Sequence, residues 1–368
     1  MKQLTLLIKP ASGACQMRCR YCFYADVMNS RAEKVRPVMS EGTLENLVRR
    51  AYAASDSVSF MFQGGEPTLA GLPFFEKLME LENRYGARRR TQNAIQTNGL
   101  LLGEKWCAFL KKNHFLVGLS LDGDEEAHNA CRVDSAGEGT YGRVMQSAAL
   151  LKKYGVDFNI LCVVSKANVN RAEELYRALR PFGYLQFIRC IDDFGESGDY
   201  APDPVSFGEF LVRTYDLYEK DALSGHYVSV RTFDNYIGML LGRGPESCGM
   251  SGRCTPILTV ESDGSVYPCD FYVLDEWCLG NINSAGIAAL MSSEKAEAFV
   301  ASSLSVPEDC RVCPYCGICR GGCRRDREMT GGDHLGKNRY CAAFRYFFDQ
   351  RLDRMISLAK AVREGRVR

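Results

Sequence analysis

The stretch from Cys15 to Tyr24 reads C-Q-M-R-C-R-Y-C-F-Y and places three cysteines at a C-x3-C-x2-C spacing. It follows a short apolar run, Leu4 to Lys9, that is typical of a β-strand. Three thiolates on one tight loop can hold three irons of a four-iron cluster and leave the fourth iron open to a small molecule. A structural zinc site normally has four ligands, and the next cysteine is only Cys107. The stretch therefore predicts an iron–sulfur loop with one open coordination position.

The composition of the chain limits its setting. With 368 residues, 46% of them hydrophobic and 25% charged, the chain is long and apolar enough to bury a large core. A formal net charge of +1 gives no overall field for nucleic acid or an anionic membrane, and no apolar run approaches transmembrane length. The cysteine count of 17 is odd, and the start of the chain is too briefly apolar for a signal peptide. We therefore expect a cytoplasmic protein that uses its thiols for metal, with no nucleic-acid or membrane partner.

Strand-like runs alternate with helix-period segments through the first half of the chain. The predicted strands are Leu4 to Lys9, Val58 to Gln63, Ala94 to Gln96, Phe115 to Leu121, Phe158 to Val164 and Leu185 to Arg189. The predicted helices between them are Glu41 to Ala54, Pro73 to Arg84, Glu104 to Asn113, Tyr141 to Tyr154 and Arg171 to Phe182. This alternation predicts an α/β fold with a parallel sheet, either a partial barrel or an open sheet, whose binding loops gather at the carboxyl ends of the strands.

Polar and glycine-rich motifs follow three of the predicted strands. These motifs are Gln63-Gly64-Gly65-Glu66-Pro67, Gln96-Thr97-Asn98-Gly99 and Ser120-Leu121-Asp122-Gly123. Paired glycines let the backbone approach a ligand closely, and Ser or Asn at a strand end can bind a ribose or carboxylate. Arg132, a short loop further on, can pair with a ligand carboxylate. Considered alone, each motif also fits an ordinary turn or cap, and Arg132 also fits a surface cation.

The character of the chain changes after Asp192. Residues Asp192 to Pro204 are acidic and rich in turn formers, which predicts either a lid over a substrate or a solvated connection. A helix is predicted from about Ser206 to Leu223. We place a domain boundary near residue 235, which gives domains of residues 1–235 and 236–368.

The second predicted domain holds most of the remaining cysteines. Cys248, Cys254 and Cys269 surround a predicted hairpin with Asp263-Gly264 at its turn. A dense run and one later cysteine follow, namely Cys310, Cys313, Cys316, Cys319, Cys323 and Cys341. So many thiols are too reactive for a packing role, and C-x2-C pairs suit tetrahedral zinc as well as iron–sulfur clusters. Spacing alone leaves the choice of metal open.

The cluster loop and the motifs after the strands resemble those of the radical S-adenosylmethionine (SAM) superfamily. In that family SAM chelates the open iron, and its reductive cleavage gives a 5′-deoxyadenosyl radical. The resemblance implies a partial (β/α)6 TIM-like barrel and a 4Fe-4S cluster on Cys15, Cys19 and Cys22. It implies SAM contacts from Tyr21, Gly64, Gly65, Glu66, Ser120, Arg132 and Ile191. Ile191 stands where the family pattern has Leu, which affects only apolar contact with adenine.

The C-terminal cysteine pattern resembles the SPASM domain of radical SAM enzymes that modify peptides. That resemblance implies two auxiliary 4Fe-4S clusters that are fully bound by protein. The implied ligands of the first are Cys248, Cys254, Cys269 and Cys323, and those of the second are Cys310, Cys313, Cys319 and Cys341. Cys316 is then surplus, and by spacing it competes with Cys319. The other cysteines, Cys107, Cys131, Cys162, Cys190 and Cys278, fit no ligand pattern.

Long strings across the whole chain resemble the anaerobic sulfatase-maturating enzymes. These strings include Leu6 to Ser12, Phe62 to Gly71, Phe158 to Val164 and Tyr267 to Tyr272. Such enzymes oxidise one cysteine or serine of an unfolded sulfatase polypeptide, within a Cys/Ser-x-Pro/Ala-x-Arg sequence, to Cα-formylglycine (3-oxoalanine). The resemblance implies an anaerobic oxidoreductase that receives electrons from a ferredoxin- or flavodoxin-like donor.

Asp270 directly follows the implied cluster ligand Cys269. The reaction removes a Cβ hydrogen atom, a proton from the target thiol or hydroxyl, and one electron, and a carboxylate beside a cluster is suited to take the proton. Considered alone, the position favours a turn aspartate. The resemblance implies that Asp270 is the general base. Tyr24 and Gln63, near the cluster loop, are the next candidates.

Two other functions are compatible with parts of the sequence. A related SPASM peptide maturase would form thioether or carbon–carbon crosslinks in a ribosomal peptide. A non-catalytic iron–sulfur or zinc module, such as an electron carrier, would use the metal sites alone. The sequence does not distinguish cysteine from serine targets, and it specifies neither the sulfatase nor the oligomeric state.

Overall fold

The computed structural model of the chain describes residues 2–87, 89–193, 199–328 and 335–367. The chain forms two compact units, each made of three segments. The first unit comprises Met1–Ser120, Arg132–Phe158 and Pro256–Phe299, and the second comprises Leu121–Cys131, Asn159–Thr255 and Val300–Arg368. The division into domains 1–235 and 236–368 concerns the order of motifs along the chain, and it stays a prediction.

Strands and helices alternate along the first half of the described chain. Strands β1 to β10 are Leu4–Ile8, Ser57–Phe62, Arg90–Thr97, Leu116–Ser120, Phe158–Val164, Tyr184–Arg189, Ser229–Val230, Leu258–Val260, Ser265–Tyr267 and Gly280–Asn281. Helices α1 to α9 are Phe23–Asn29, Glu41–Ala54, Leu72–Tyr85, Glu104–Lys112, Glu125–Asn129, Tyr141–Tyr154, Ala172–Leu179, Pro204–Leu223 and Arg231–Leu240. Helices α10 to α15 are Ile287–Met291, Glu294–Ser303, Glu308–Arg311, Cys316–Cys319, Arg324–Glu328 and Cys341–Arg363. The prediction of an α/β fold with a parallel sheet is confirmed.

The first unit is organised around β1. This strand pairs in parallel with β2 on one side and with β8 on the other, so that Ile8 stands opposite both Phe62 and Val260. Strands β3 and β4 continue the parallel order beyond β2, whereas β9 and β10 pair antiparallel beyond β8. The carboxyl ends of β1, β2 and β8 therefore lie side by side. The residues that follow these strands meet at one edge of the sheet.

The core of the first unit forms where the sheet meets α2 and α3. Phe60 and Phe62 of β2 are buried, as their alternation along the strand requires. Leu47 of α2 and Phe75 of α3 have no exposed surface, and each such side chain contributes about 1.5–3 kcal/mol to the free energy of folding. Helix α2 begins at a cap in which the Ser40 side chain accepts a hydrogen bond from the Thr43 amide at 3.1 Å.

The second unit contains the parallel strands β5, β6 and β7 and the long helices α8 and α15. Helix α8 begins after Asp203, whose side chain accepts hydrogen bonds from the amides of Val205 and Ser206, and Pro204 occupies the first turn. Arg351 of α15 holds Asp216 of α8 with two hydrogen bonds of 2.8 and 2.7 Å. This bidentate pair joins the two helices beside their packed aromatic side chains.

The acidic stretch Asp192 to Pro204 is anchored at both ends. Arg325 donates a hydrogen bond to the Asp192 carbonyl at 2.9 Å, and the Tyr340 hydroxyl donates to the Pro202 carbonyl at 2.7 Å. The interior of the stretch, residues 194–198, lies outside the described residues. Its function as a lid or a connection stays open. No helix in the described ranges is long and apolar enough to cross a membrane.

Candidate active site

The cysteine loop connects β1 to α1 in the first unit. Cys15 and Cys19 are partly buried, whereas Cys22 is exposed and occupies the cap position of α1. The amide of Cys22 donates to the carbonyl of Cys19 at 3.1 Å, which closes a tight turn between these two residues. None of the three cysteines forms a disulfide. The donor set is therefore one that suits three irons of a four-iron cluster.

The segment that begins at Arg132 contacts the cysteine loop. The amide of Arg18 donates to the carbonyl of Val133 at 2.8 Å. The guanidinium of Arg132 lies over the Tyr21 ring, 5.5 Å from its centroid, and the Arg132 side chain is buried. The fold therefore brings together two of the residues that the sequence predicted as SAM contacts.

The two glycines after β2 pack closely against the cysteine loop. The Gly65 amide donates to the Ser12 carbonyl at 2.9 Å, and a Cβ atom at Gly65 would lie 2.1 Å from the Ala14 carbonyl oxygen. Gly64 has a φ of 131°, a conformation that other residues rarely adopt. A residue with a side chain would push the two loops apart, so this close approach requires glycine.

The buried carboxyl of Glu66 ties the ends of β2 and β3 together. Its oxygens accept hydrogen bonds from the Thr68 amide and hydroxyl, the Thr97 hydroxyl and the Asn98 amide, at 3.1, 2.6, 2.8 and 2.8 Å. Burial raises the pKa of Glu66. These bonds occupy the carboxyl within the chain, and its direct contact with SAM stays a prediction.

Asn98 contacts the cysteine loop directly. Its side-chain amide lies 3.7 Å from the Cys15 sulfur, and its oxygen accepts a hydrogen bond from Gln16 at 3.3 Å. Burial raises the pKa of Cys15 to about 11, and a bound metal would hold its sulfur as thiolate. The sequence indicated Asn98 only as a polar strand end, and its contact with a cluster thiol went unpredicted.

Two further predicted SAM contacts lie at strand ends. Ser120 is the last residue of β4 and is buried in the first unit. Ile191 follows β6 by two residues, is half-buried and belongs to the second unit. The roles of both residues stay predictions.

Asp270 occupies the start of a single 3-10 turn just after Cys269 in the first unit. Its Oδ2 accepts a hydrogen bond from Gln63 Nε2 at 2.6 Å, and its Oδ1 lies 2.5 Å from Lys9 Nζ. The side chain of Asp270 is 16% exposed, whereas that of Lys9 is completely buried. The carboxylate is therefore held from both sides by residues that follow β1 and β2, and it retains access from outside.

The other two candidate bases have different roles. The hydroxyl of Tyr24 is buried and donates a short hydrogen bond to Glu261. Glu261 also forms a buried ion pair with Arg31 at 2.7 Å. Burial, with the nearby negative charge of Glu261, raises the pKa of Tyr24. Gln63 has a neutral amide, which donates a hydrogen bond to Asp270. Asp270 is therefore the one candidate of the three with a carboxylate that can accept a proton.

Five cysteines of the second unit line one pocket of about 330 Å³, its open mouth included. They are Cys310, Cys313, Cys316, Cys319 and Cys341, and the remaining wall includes Tyr315, Phe344 and Phe348. In the described ranges, no group of three His, Cys, Asp or Glu side chains is arranged so that it could hold a single metal ion. The thiols and the apolar wall of the pocket fit an iron–sulfur cluster. Cys316 shares the pocket with the four implied ligands.

The implied ligands of the first auxiliary cluster belong to both units. Cys248, Cys254 and Cys323 lie in the second unit, and Cys269 lies in the first. A Cβ atom at Gly249, next to Cys248, would be 3.7 Å from Cys323 Cβ. The Cys254 amide donates to the Ser303 hydroxyl at 2.9 Å. The four-residue ligand set stays a prediction.

Comparison with known proteins agrees with this geometry. The family model described as the radical SAM superfamily matches residues 10–179, and the SPASM iron-sulfur cluster-binding domain matches residues 252–314. These matches and the cysteine loop define the class of the protein, a radical SAM protein with an auxiliary-cluster domain.

The relatives define the family more narrowly. The cysteine-type anaerobic sulfatase-maturating enzyme of Clostridium perfringens (strain 13 / Type A) is 44% identical over 99% of this chain and 100% of its own. The serine-type anaerobic sulfatase-maturating enzyme of Bacteroides thetaiotaomicron is 31% identical over 94% of this chain and 89% of its own. The solved structure of native anSMEcpe with bound AdoMet and Cp18Cys peptide is 43% identical, has a TM-score of 0.93, and covers 98% of this chain and 99% of that chain. The chain belongs to the family of anaerobic sulfatase-maturating enzymes.

Proposed function

We propose that this protein oxidises a cysteine of a sulfatase polypeptide, within a Cys-x-Pro/Ala-x-Arg sequence, to Cα-formylglycine. The observation that carries the proposal is the Asp270 carboxylate, held by Lys9 and Gln63 in the same unit as the cysteine loop. Cysteine is favoured over serine because the cysteine-type relative is 44% identical to this chain, against 31% for the serine-type relative.

The cofactors of the reaction are SAM and three 4Fe-4S clusters. We assign the SAM-binding cluster to Cys15, Cys19 and Cys22 and the auxiliary clusters to the cysteines after residue 247. When bound, these groups supply the radical that takes a hydrogen atom from the substrate Cβ and an acceptor for one electron. The surrounding residues position the loops that would hold these groups. Gly65 lets the loop after β2 approach the cysteine loop, and Arg132 lies against it over Tyr21.

Asp270 performs the proton step. The substrate thiol gives its proton to the carboxylate, while Cβ loses one hydrogen atom and one electron, which leaves a carbon–sulfur double bond. Hydrolysis of this thioaldehyde releases hydrogen sulfide and the aldehyde. A carboxylate that is 16% exposed can meet a thiol that enters from outside, and Gln63 keeps one of its oxygens fixed.

The proposal also includes an electron donor and a compartment. A ferredoxin- or flavodoxin-like protein is a suitable donor because each catalytic cycle begins with a one-electron reduction at low potential. A cytoplasmic location is supported by the cysteines of the structure, none of which forms a disulfide. Thiols that bind clusters require a reducing compartment.

Anaerobic incubation with SAM, dithionite and a peptide carrying Cys-x-Pro-x-Arg tests the proposal, and mass spectrometry detects the aldehyde. A serine peptide of otherwise identical sequence, run in parallel, tests target type. A variant with Cys15, Cys19 and Cys22 replaced by Ala is the control, and we expect it to form no 5′-deoxyadenosine. An intramolecular crosslink in place of the aldehyde would favour the peptide-maturase alternative. Cleavage of SAM by the triple variant would contradict the cluster assignment.

A further inference from the structure

Lys9 is a buried cation that takes no direct part in the proposed reaction. Its side chain has no exposed surface, and its Nζ lies 2.5 Å from Asp270 Oδ1. Burial of an ammonium group costs several kcal/mol unless a partner compensates it. A lysine kept in such a place, against the one carboxylate that the proposed reaction uses, therefore requires an explanation beyond packing.

Three chain segments fix the position of the Lys9 side chain. Its backbone amide donates to the Val260 carbonyl at 2.9 Å, which aligns Lys9 with the end of β8. Its Cγ would be 3.1 Å from a Cβ atom at Gly64, so the aliphatic stem packs directly on the glycine loop. Its Nζ lies 3.9 Å from the centroid of the Tyr24 ring. The ammonium group is thereby aimed at Asp270.

The two oxygens of Asp270 are held differently. Oδ2 accepts the 2.6 Å hydrogen bond from Gln63, whereas Oδ1 makes an ion contact with Lys9 that lacks hydrogen-bond angles. Within the described ranges, neither Lys9 Nζ nor Asp270 Oδ1 has a hydrogen-bond partner. Asp270 Oδ1 is buried against Lys9, so the exposed part of the side chain lies elsewhere. A carboxylate oxygen offers two lone pairs, so Oδ2 can accept the hydrogen bond from Gln63 and still accept a proton.

We propose that Lys9 is a positioning residue for the Asp270 carboxylate. Together with Gln63 it holds the carboxylate in one orientation, so that Oδ2, the oxygen that Lys9 does not hold, meets the substrate thiol once the Cβ hydrogen atom has been removed. This inference rests on the proposed function of Asp270. It adds that Lys9 acts through Asp270 and not through SAM binding or hydrogen-atom abstraction.

The test compares Lys9→Met, which keeps the aliphatic stem and removes the charge, with Lys9→Arg, which restores a cation. Lys153→Met is the matched control because Lys153 also pairs with a carboxylate, that of Glu104 at 2.9 Å, but is 63% exposed in the same unit. The substrate is a Cys-x-Pro-x-Arg peptide with two deuterium atoms on the cysteine Cβ. Deuterium in 5′-deoxyadenosine then measures hydrogen-atom abstraction, and the aldehyde measures the complete reaction.

We expect Lys9→Met to keep its iron content, its peptide affinity and deuterium transfer. The ratio of aldehyde to 5′-deoxyadenosine should fall by about 10- to 100-fold, the scale of a misplaced catalytic group. Lys9→Arg should recover part of this ratio, and Lys153→Met should leave it unchanged. In an Asp270→Asn background, Lys9→Met should change the ratio by less than about twofold, because the two residues act as a unit.

A second readout does not depend on turnover. The melting temperatures of Lys9→Met, Asp270→Asn and the double variant should be non-additive, because each single change leaves the other residue of the ion contact without its partner. If Lys9→Met is insoluble, Lys9→Gln takes its place in both measurements. An unchanged ratio of aldehyde to 5′-deoxyadenosine in a folded, iron-replete Lys9 variant would overturn the positioning role. The same conclusion would follow if Lys9→Met lowered this ratio as much in the Asp270→Asn background as in the wild type. Absence of aldehyde from the wild-type protein would instead contradict the proposed function itself.

Discussion

Phe23 and Phe271 meet edge to face, with their ring centroids 5.2 Å apart. Phe23 directly follows Cys22, and Phe271 directly follows Asp270. The contact therefore joins the end of the cysteine loop to the turn that carries the carboxylate, and such aromatic pairs add about 0.5–1.5 kcal/mol beyond the area that they bury. The cysteine loop and the proposed general base thus belong to one folded unit.

Gly65→Ala should abolish SAM binding. The added Cβ would lie 2.1 Å from the Ala14 carbonyl oxygen, so the loop after β2 must move away from the cysteine loop. Equilibrium dialysis with SAM and iron analysis would measure the effect. Gly142→Ala is the control, because nothing lies within 4 Å of a Cβ at that position of α6. Normal SAM affinity in Gly65→Ala would show that the close approach of the two loops is not required.

Tyr24→Phe should leave aldehyde formation within about threefold of the wild-type rate, since general-base catalysis contributes far more than this. The Tyr24 hydroxyl donates to Glu261, and burial raises its pKa. The hydroxyl therefore keeps its own proton and cannot act as the base. Loss of a hydrogen bond to a charged group should lower stability by about 1.5–3 kcal/mol, which thermal unfolding would detect. A folded Tyr24→Phe variant that cleaves SAM but forms no aldehyde would identify Tyr24 as part of the chemistry.

Cys313→Ala and Cys316→Ala should have different effects although both thiols line the same pocket. Cys313→Ala should lose about four irons and much of its soluble yield, because the cluster also stabilises the surrounding loops. Cys316→Ala should keep its iron, if Cys316 is the surplus thiol. Iron and sulfide analysis of the anaerobically purified variants distinguishes the two. If Cys316→Ala lost iron and Cys313→Ala kept it, Cys316 would be the ligand and Cys313 the surplus thiol.

Glu82 should make stability depend on pH. Burial raises the pKa of Glu82 from 4.5 to about 7, and its Oε2 accepts a hydrogen bond from Asn93 at 3.1 Å. Because the folded state binds this proton more tightly, the Glu82 contribution to stability is greatest below pH 4.5 and is lost as pH rises towards 7. Glu82→Gln should therefore gain stability relative to the wild type between pH 5 and pH 7 and keep a constant advantage above it, as measured by urea unfolding. An advantage that is independent of pH would contradict the raised pKa.

The sequence predicted those elements whose signals are local. Helix α6 has the predicted bounds, Tyr141 to Tyr154, and it ends where Gly155 adopts a left-handed conformation with a φ of 64°. Strand β5 also has the predicted bounds, since residues 160–164 form a continuous apolar run. Strand β3 is longer than the predicted Ala94 to Gln96, because its first residues are polar and partly exposed and carry little apolar alternation.

Features that depend on distant parts of the chain escaped prediction. The parallel pairing of β8 with β1 brings Lys9 to Asp270, and neither residue alone indicates the other. Helix α15 was not predicted, although Phe347, Met355 and Leu358 are buried at helical spacing. The cysteine loop was predicted from its spacing and the role of Asp270 from family resemblance, whereas their geometry comes from the structure.

The most direct test of the proposed reaction is Asp270→Asn with the deuterated cysteine peptide. The amide is nearly isosteric with the carboxylate and its oxygen can still accept the hydrogen bond from Gln63, so iron content and SAM affinity should persist. Deuterium should still pass to 5′-deoxyadenosine, whereas aldehyde formation should fall by on the order of 10²-fold or more. Near-normal aldehyde yield from Asp270→Asn with all its iron bound would contradict the assignment of Asp270 as the base.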